Sequence, residues 1–169
     1  MQKSLSACFV IAWLGVLLVA TTVSAGTPAR FIQYPDIHNN TIVFTWDRDL
    51  WSVPATGGEA RRLTTHPGME NFARFSPDGK SIAFTGQYEG ADVYVMDVGG
   101  GAPKRVTFLA TGARPVAWTP DGSKIIFRSG HENTFRPIVK LFAASPAGSL
   151  PEQLPMDRGI LASYSPDGS

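Results

Sequence analysis

The chain has 169 residues, of which 43% are hydrophobic and 17% charged, which is sufficient for a domain with a buried core. Its formal net charge is +1, with 15 basic residues against 14 acidic ones. This balance excludes the strongly basic surface typical of nucleic-acid binding or of adhesion to an anionic membrane. The 17 glycines and 13 prolines predict many turns, and no long helical pattern follows Arg30.

The first 25 residues have the order of a secretory signal peptide. A polar start precedes an apolar run over residues 7–20, and small residues ending at Ala25 offer a cleavage site. The run is shorter than the roughly 20 residues of a membrane-spanning helix, so cleavage is favoured over an uncleaved anchor. We expect residues 1–25 to be removed and the mature chain to be periplasmic or secreted. The single cysteine, Cys8, would leave with them, so the mature chain would carry no disulfide.

The rest of the chain, residues 26–169, is predicted to form short β-strands in repeats of four. The first repeat covers about residues 30–65, with its second and third strands expected at residues 41–46 and 49–53. The second repeat has the clearest pattern. It covers residues 66–107, with strands expected at residues 71–75, 81–85, 92–96 and 104–107.

The third repeat covers residues 108–155 and is lengthened by a polar loop at residues 130–137. A fourth repeat begins at residues 156–169. The last strand of each complete repeat places polar residues around one apolar residue, which is typical of an exposed outer edge strand. The middle strands are apolar on both faces, which indicates a sheet that is covered on both sides.

A Pro-Asp-Gly turn recurs along the chain. The complete copies are Pro77-Asp78-Gly79, Pro120-Asp121-Gly122 and Pro166-Asp167-Gly168, and Pro35-Asp36 is a partial copy. The aspartates are separated by 42, 43 and 46 residues. A period of about 40–45 residues with four short strands indicates a β-propeller with one blade per repeat. We therefore predict an all-β fold, a partial propeller of about three four-stranded blades plus the start of a fourth.

The turn residues have a structural explanation. Proline presets φ at the second position of the turn, and glycine takes a left-handed conformation at its end. We expect positive φ at Gly79 and Gly122. Aspartates at these positions commonly bond within their own turn, which is favoured here over calcium binding for Asp78, Asp121 and Asp167.

The sequence contains no recognisable catalytic or metal-binding arrangement, and we expect no cofactor. There is no Gly-x-Ser-x-Gly motif. The histidines fall in separate repeats without a second ligand at metal spacing, at His38, His66 and His131. Three tryptophans lie at strand positions, where a core role is favoured over lining a channel. They are Trp46, Trp51 and Trp118.

A more selective resemblance begins at residue 35. The sequence contains PDIH at 35–38, TIVF at 41–44, DLW at 49–51, GGEARRLT at 57–64 and HPG at 66–68. With the Pro-Asp-Gly repeats that follow, residues 30–169 resemble the start of tricorn protease and its bacterial homologues. Asn39 stands where that family usually has glycine, and asparagine also tolerates left-handed φ.

This resemblance implies a serine peptidase built from two propellers, a PDZ-like domain and C-terminal catalytic domains. Its first propeller would control the passage of peptides, and none of the family's catalytic positions lies in this chain. We therefore expect an exported propeller fragment that acts as scaffold and gate. Its partners would be the remaining blades and catalytic domains of a homo-oligomeric parent protein, and peptides are possible ligands. We expect no binding to nucleic acid and, after signal cleavage, no association with a membrane.

Two alternatives stay open, because Pro-Asp-Gly repeats also occur in other propellers. One is a TolB-like propeller of the cell envelope that binds proteins, although TolB has a small α/β domain before its propeller. The other is the propeller of an exported amidohydrolase. A PDZ-like segment and a catalytic serine region beyond residue 169 would favour the peptidase. A stop after about three more repeats would favour the binding protein, and a histidine cluster would favour the amidohydrolase.

Overall fold

The computed structural model describes residues 31–130 and 138–165. Within these residues the chain forms three four-stranded antiparallel sheets, as predicted for blades of a propeller. No helix in this part of the chain is long and apolar enough to span a membrane. The expected signal peptide, residues 131–137 of the predicted polar loop and the turn at Pro166, Asp167 and Gly168 lie outside the described residues.

Each sheet is a meander in which neighbouring strands follow one another in sequence. Blade 1 contains β1 (Gln33–His38), β2 (Thr41–Trp46), β3 (Asp49–Pro54) and β4 (Arg61–Arg62). Blade 2 contains β5 (Glu70–Phe75), β6 (Ser81–Gln87), β7 (Ala91–Asp97) and β8 (Lys104–Arg105). Blade 3 contains β9 (Arg114–Trp118), β10 (Ile125–Ser129), β11 (Lys140–Ala144) and β12 (Glu152–Gln153). The fourth strands are shorter than predicted, with two residues each.

The hydrophobic core lies between the blades. Alternate residues of β6 point to opposite sides, so that Phe84 packs between blades 1 and 2 while Ala83 packs between blades 2 and 3. In β7, Tyr94 packs between blades 1 and 2, and Val93 packs between blades 2 and 3. Because blade 2 is covered on both faces, its middle strands are apolar at successive positions, as the sequence indicated.

The first strands of the three blades lie side by side. Strand β1 contacts β5, and β5 contacts β9. The two-residue fourth strands lie at the opposite edge of each sheet, where most of their residues are exposed. The first strands therefore form the inner edge of the propeller, which faces its axis.

One backbone hydrogen bond recurs between each blade and the next. The amide of Glu70 donates to the carbonyl of Arg48 at 2.7 Å, and the amide of Ala113 donates to the carbonyl of Ala91. In the third instance, the amide of Gly159 donates to the carbonyl of Val139 at 3.1 Å. This bond joins Gly159 to blade 3, while the assignment of the following residues to a fourth blade stays a prediction, since residues 159–165 contain no strand.

The first two Pro-Asp-Gly turns have the expected backbone geometry. Gly79 and Gly122 have φ of 70° and 68°. The Asp78 carboxylate accepts hydrogen bonds from the Ser76 hydroxyl and the Lys80 amide, at 2.6 and 3.1 Å. Equivalent bonds within the second turn, led by the hydroxyl of its threonine, lower the pKa of Asp121 to about 2. Both aspartates are therefore occupied by their own turns.

These two glycines provide a matched pair of substitutions. A Cβ atom at Gly79 would lie 2.3 Å from Cδ2 of His38, whereas the nearest atom at Gly122 is Cδ of Pro77 at 3.7 Å. Alanine in a left-handed conformation costs about 1 kcal/mol at either position. We expect Gly79→Ala to be the more destabilising change in urea denaturation, because the His38 ring must also move. Equal losses for Gly79→Ala and Gly122→Ala would contradict this assignment.

Candidate functional site

The inner edge brings two aromatic rings and one arginine into a stack. Tyr34 and Phe72 occupy equivalent positions in β1 and β5, with ring centres 4.0 Å apart. The guanidinium carbon of Arg114 lies 3.3 Å from the centre of the Phe72 ring and 5.6 Å from that of Tyr34. We call Tyr34, Phe72 and Arg114 the inner-edge stack. Contacts of this kind between a cation and a ring face are attractive.

Repeated bulges position the two rings. The strand register shifts between Gln33 and Asp36 in β1 and at the equivalent place in β5. Within these bulges Tyr34 and Phe72 have φ of 50° and 58°, which is uncommon for aromatic residues. In blade 3 the equivalent residue is Pro115, whose ring excludes a positive φ. There the preceding residue, Arg114, reaches the stack instead.

A cleft of about 350 Å³ lies beside the stack, between blades 2 and 3. Phe72, Arg114 and Arg128 line it together with polar side chains such as Gln87. Burial and the nearby charge of Arg128 lower the pKa of Arg114. Among the described residues, neither arginine forms an ion pair with a carboxylate. As far as residues 31–130 and 138–165 show, the cleft therefore presents positive charge without a paired carboxylate, beside an aromatic surface.

Below the stack, side chains of the inner edge join the three blades. Asp36 accepts a hydrogen bond from the Phe75 amide at 2.8 Å and lies 4.0 Å from Arg74. Arg74 in turn donates to the carbonyl of Val116 at 3.2 Å, and the Trp118 indole donates to the carbonyl of Arg74 at 3.1 Å. These contacts fix the relative positions of the blades around the axis.

A family comparison identifies the domain. The tricorn protease N-terminal beta propeller domain matches residues 29–169. The chain belongs to this family.

Individual relatives agree with the tricorn assignment. The tricorn protease of Thermoplasma volcanium is 31% identical over 135 residues, which cover 72% of this chain and 13% of that protein. The crystal structure of the tricorn protease matches with a TM-score of 0.56 and 26% identity, over 66% of this chain and 12% of that one. TolB from Acinetobacter baumannii has a TM-score of 0.65 at 23% identity, over 80% of this chain and 35% of that one, which shows a shared fold. The chain thus spans a small part of the length of its tricorn relatives.

A polar network recurs in the first two blades of this tricorn-type propeller. In blade 1, Arg62 Nη2 lies 2.6 Å from Asp49 Oδ2, and Thr64 Oγ1 accepts a 2.9 Å hydrogen bond from the backbone. Asp92, Arg105 and Thr107 repeat these contacts in blade 2. Each member is separated from its counterpart by 43 residues. The network could have been found in the sequence by searching for identical polar residues that recur at the repeat period.

Blade 3 of the tricorn-type propeller lacks this network. The equivalent residues are Lys140, Gln153 and Pro155, and the Lys140 ammonium group donates to Gln153 Oε1 at 3.0 Å. In blades 1 and 2 the network joins the third strand to the fourth strand and the threonine that follows it, which is a structural contact within the blade. In the described ranges, no three His, Cys, Asp or Glu side chains are placed to hold a metal ion.

The other residues that the sequence singled out lie away from the stack. Trp118 is 8% exposed, so its expected core position is confirmed. Trp46 and Trp51 are half-buried and pack edge to face with ring centres 5.1 Å apart. His38 packs against Phe75, and His66 packs against Tyr88, while His131 lies outside the described residues.

Proposed function

We propose that this chain is the exported propeller part of a tricorn-like serine peptidase, where it acts as scaffold and as gate for peptides. The observation that carries the proposal is the inner-edge stack with the positively charged cleft beside it. A peptide offers carboxylates to Arg114 and Arg128 and apolar side chains to Tyr34 and Phe72. Family membership supports the peptidase context, since several relatives by sequence are named tricorn protease or tricorn protease homolog.

The division between scaffold and gate follows from the contacts at the inner edge. Arg74 and Asp36 are engaged in bonds between blades, so they hold the scaffold. Arg114 and Arg128 have no acidic partner in the described part of the chain, so their charge is available to a passing peptide. Cleavage itself is assigned to catalytic domains of a longer parent protein, which are the proposed partners together with further blades.

Peptide binding by the full chain tests the gate. We expect a fluorescent peptide with a free carboxyl terminus to bind, and the same peptide with an amidated terminus to bind roughly tenfold more weakly. Arg114→Ala should weaken binding of the free acid by a similar factor. The control is Arg61→Ala, since Arg61 is an exposed outer-edge residue. Equal affinity for both peptides in fluorescence polarisation would contradict the gate.

The peptidase context has a separate test on the complete gene product. We expect it to cleave fluorogenic peptides and to lose activity to a serine-directed inhibitor, while residues 26–169 alone cleave none. Inhibitor-sensitive turnover by residues 26–169 that survives repurification would show an active site within these repeats. A complete product without any peptidase activity would favour the second candidate, a TolB-like protein-binding propeller, which the TM-score of 0.65 supports at the level of fold.

Export is a further part of the proposal, and the small residues ending at Ala25 support it. We expect the exported protein to begin at Gly26. N-terminal sequencing of periplasmic or secreted material measures this directly. A sequence that begins at Met1 on exported material would contradict cleavage.

A further inference from the structure

Glu70 lies at the joint between blades 1 and 2. Its side chain is fully buried at the start of β5. Its backbone amide donates to the carbonyl of Arg48 at 2.7 Å, and its carbonyl accepts a hydrogen bond from the Thr45 hydroxyl at 3.2 Å. Both partners belong to blade 1, so a movement of Glu70 changes how the two blades meet.

The Glu70 carboxyl group competes with a second carboxylate for one donor. The Thr64 hydroxyl lies 2.9 Å from Glu70 Oε2 and 3.4 Å from Asp49 Oδ1, and it has one proton to give. Asp49 also has Arg62 at 2.6 Å, whereas Glu70 Oε1 is buried without a hydrogen-bond partner. A charge in this position is costly, because no cation of the described residues forms an ion pair with it.

The other groups around Glu70 do not supply that cation. Tyr88 faces Glu70 from its own blade, with its ring against Tyr94 and His66. The guanidinium group of Arg48 is directed to the carbonyl of Pro67 at 3.2 Å. Burial raises the pKa of Glu70 to about 7. The hydrogen bond from Thr64 and the nearby Tyr88 hydroxyl oppose this rise, whereas the negative charge of Asp49 adds to it more than the positive charge of Arg62 lowers it.

The next joint has the same backbone contacts without the carboxyl group. Ala113 occupies the position of Glu70, donates to Ala91 and accepts from the Thr85 hydroxyl at 3.1 Å. At the third joint the equivalent residue is Gly159. The ionisable group is therefore confined to the joint between blades 1 and 2, and Ala113 provides an internal reference.

We propose that Glu70 is a proton-dependent lock, which holds the joint between blades 1 and 2 closed when its carboxyl group is neutral and loosens the joint when it ionises. Phe72 lies two residues further along β5 and stacks on Tyr34 of blade 1. Loosening the joint therefore separates the two rings of the inner-edge stack. Ionisation of one buried group is in this way linked to the shape of the inner edge.

Hydrogen exchange on the full chain tests the lock. Protection factors, corrected for the intrinsic pH dependence of exchange, are compared at about pH 5 and about pH 8. We expect the loss of protection at the Glu70 amide over this range to exceed the loss at the Ala113 amide by roughly tenfold or more. Unchanged protection at Glu70, or an equal loss at Ala113, would overturn the proposal.

Two variants assign the effect to this carboxyl group. Glu70→Gln keeps the shape but cannot ionise, and Glu70→Ala reproduces the residue of the second joint. Both are expected to make protection at position 70 independent of pH. If Glu70→Gln retains the pH dependence of the parent chain, another group such as His66 is responsible and the lock is not Glu70. If Glu70→Gln fails to fold, Glu70→Ala tests in the same way whether the pH dependence comes from Glu70.

Discussion

Replacing Asp92 with alanine is expected to destabilise the protein by about 3 kcal/mol, because it removes one partner of a buried ion pair. The Asp92 side chain has no exposed surface. It lies 2.6 Å from the Arg105 guanidinium and accepts hydrogen bonds from the Thr107 hydroxyl and the Leu109 amide at 2.7 and 3.0 Å. Without this carboxylate, three donors at the outer part of blade 2 lose their acceptor. Urea denaturation of the variant and the parent chain measures the loss.

The third blade supplies the matched control for this substitution. Lys140 takes the place of Asp92 in β11. Within the described ranges, its ammonium group donates a hydrogen bond to the exposed Gln153 and to no other side chain. We expect Lys140→Ala to cost less than about 1 kcal/mol, as is usual for half-exposed polar pairs. Similar losses for Asp92→Ala and Lys140→Ala would mean that the network of the first two blades contributes no more than a surface contact.

The repeat period and the strand pattern were sufficient to predict the blades. Strand β2 has the bounds expected from its apolar run, and the glycines at 79 and 122 have the φ values that their turns require. The fourth strands were predicted too long. Thr64 and Thr107 follow the fourth strands of blades 1 and 2, and their hydroxyl groups accept hydrogen bonds from backbone amides of the third strands. The side chain thus takes the place of the backbone pairing between strands at that point.

The inner-edge stack could not be predicted, because it depends on backbone conformations without a local sequence signal. Tyr34 and Phe72 take left-handed φ that their residue types disfavour, and their rings meet across the joint between two blades. Glu70 was also missed. The predicted strand at residues 71–75 excludes it, although Glu70 begins β5 and is fully buried. Burial of this kind depends on the neighbouring blade.

Stability is expected to fall as the pH rises from about 4.5 to about 7, and Glu70 is the cause. Its pKa is raised from 4.5 in the unfolded chain to about 7 in the folded protein, so the folded state binds the proton more tightly. The stabilisation is complete below the lower value and is lost once the pH passes the upper one. A shift of this size corresponds to about 3 kcal/mol. The lowered pKa of Asp121 affects the pH dependence of stability only below about pH 3.8, which is outside the range in which Glu70 titrates.

Urea denaturation of the full chain at about pH 5 and about pH 8 measures this loss. Glu70→Gln is the control, since it is expected to be almost equally stable at both pH values. Stability that rises across the window would contradict the assignment, and so would a Glu70→Gln variant with the slope of the parent chain. The hydrogen-exchange test shows where in the protein the loss of stability occurs. A change confined to global unfolding would affect the amides of Glu70 and Ala113 alike. A loss at Glu70 that precedes global unfolding is the result that links ionisation to the inner edge.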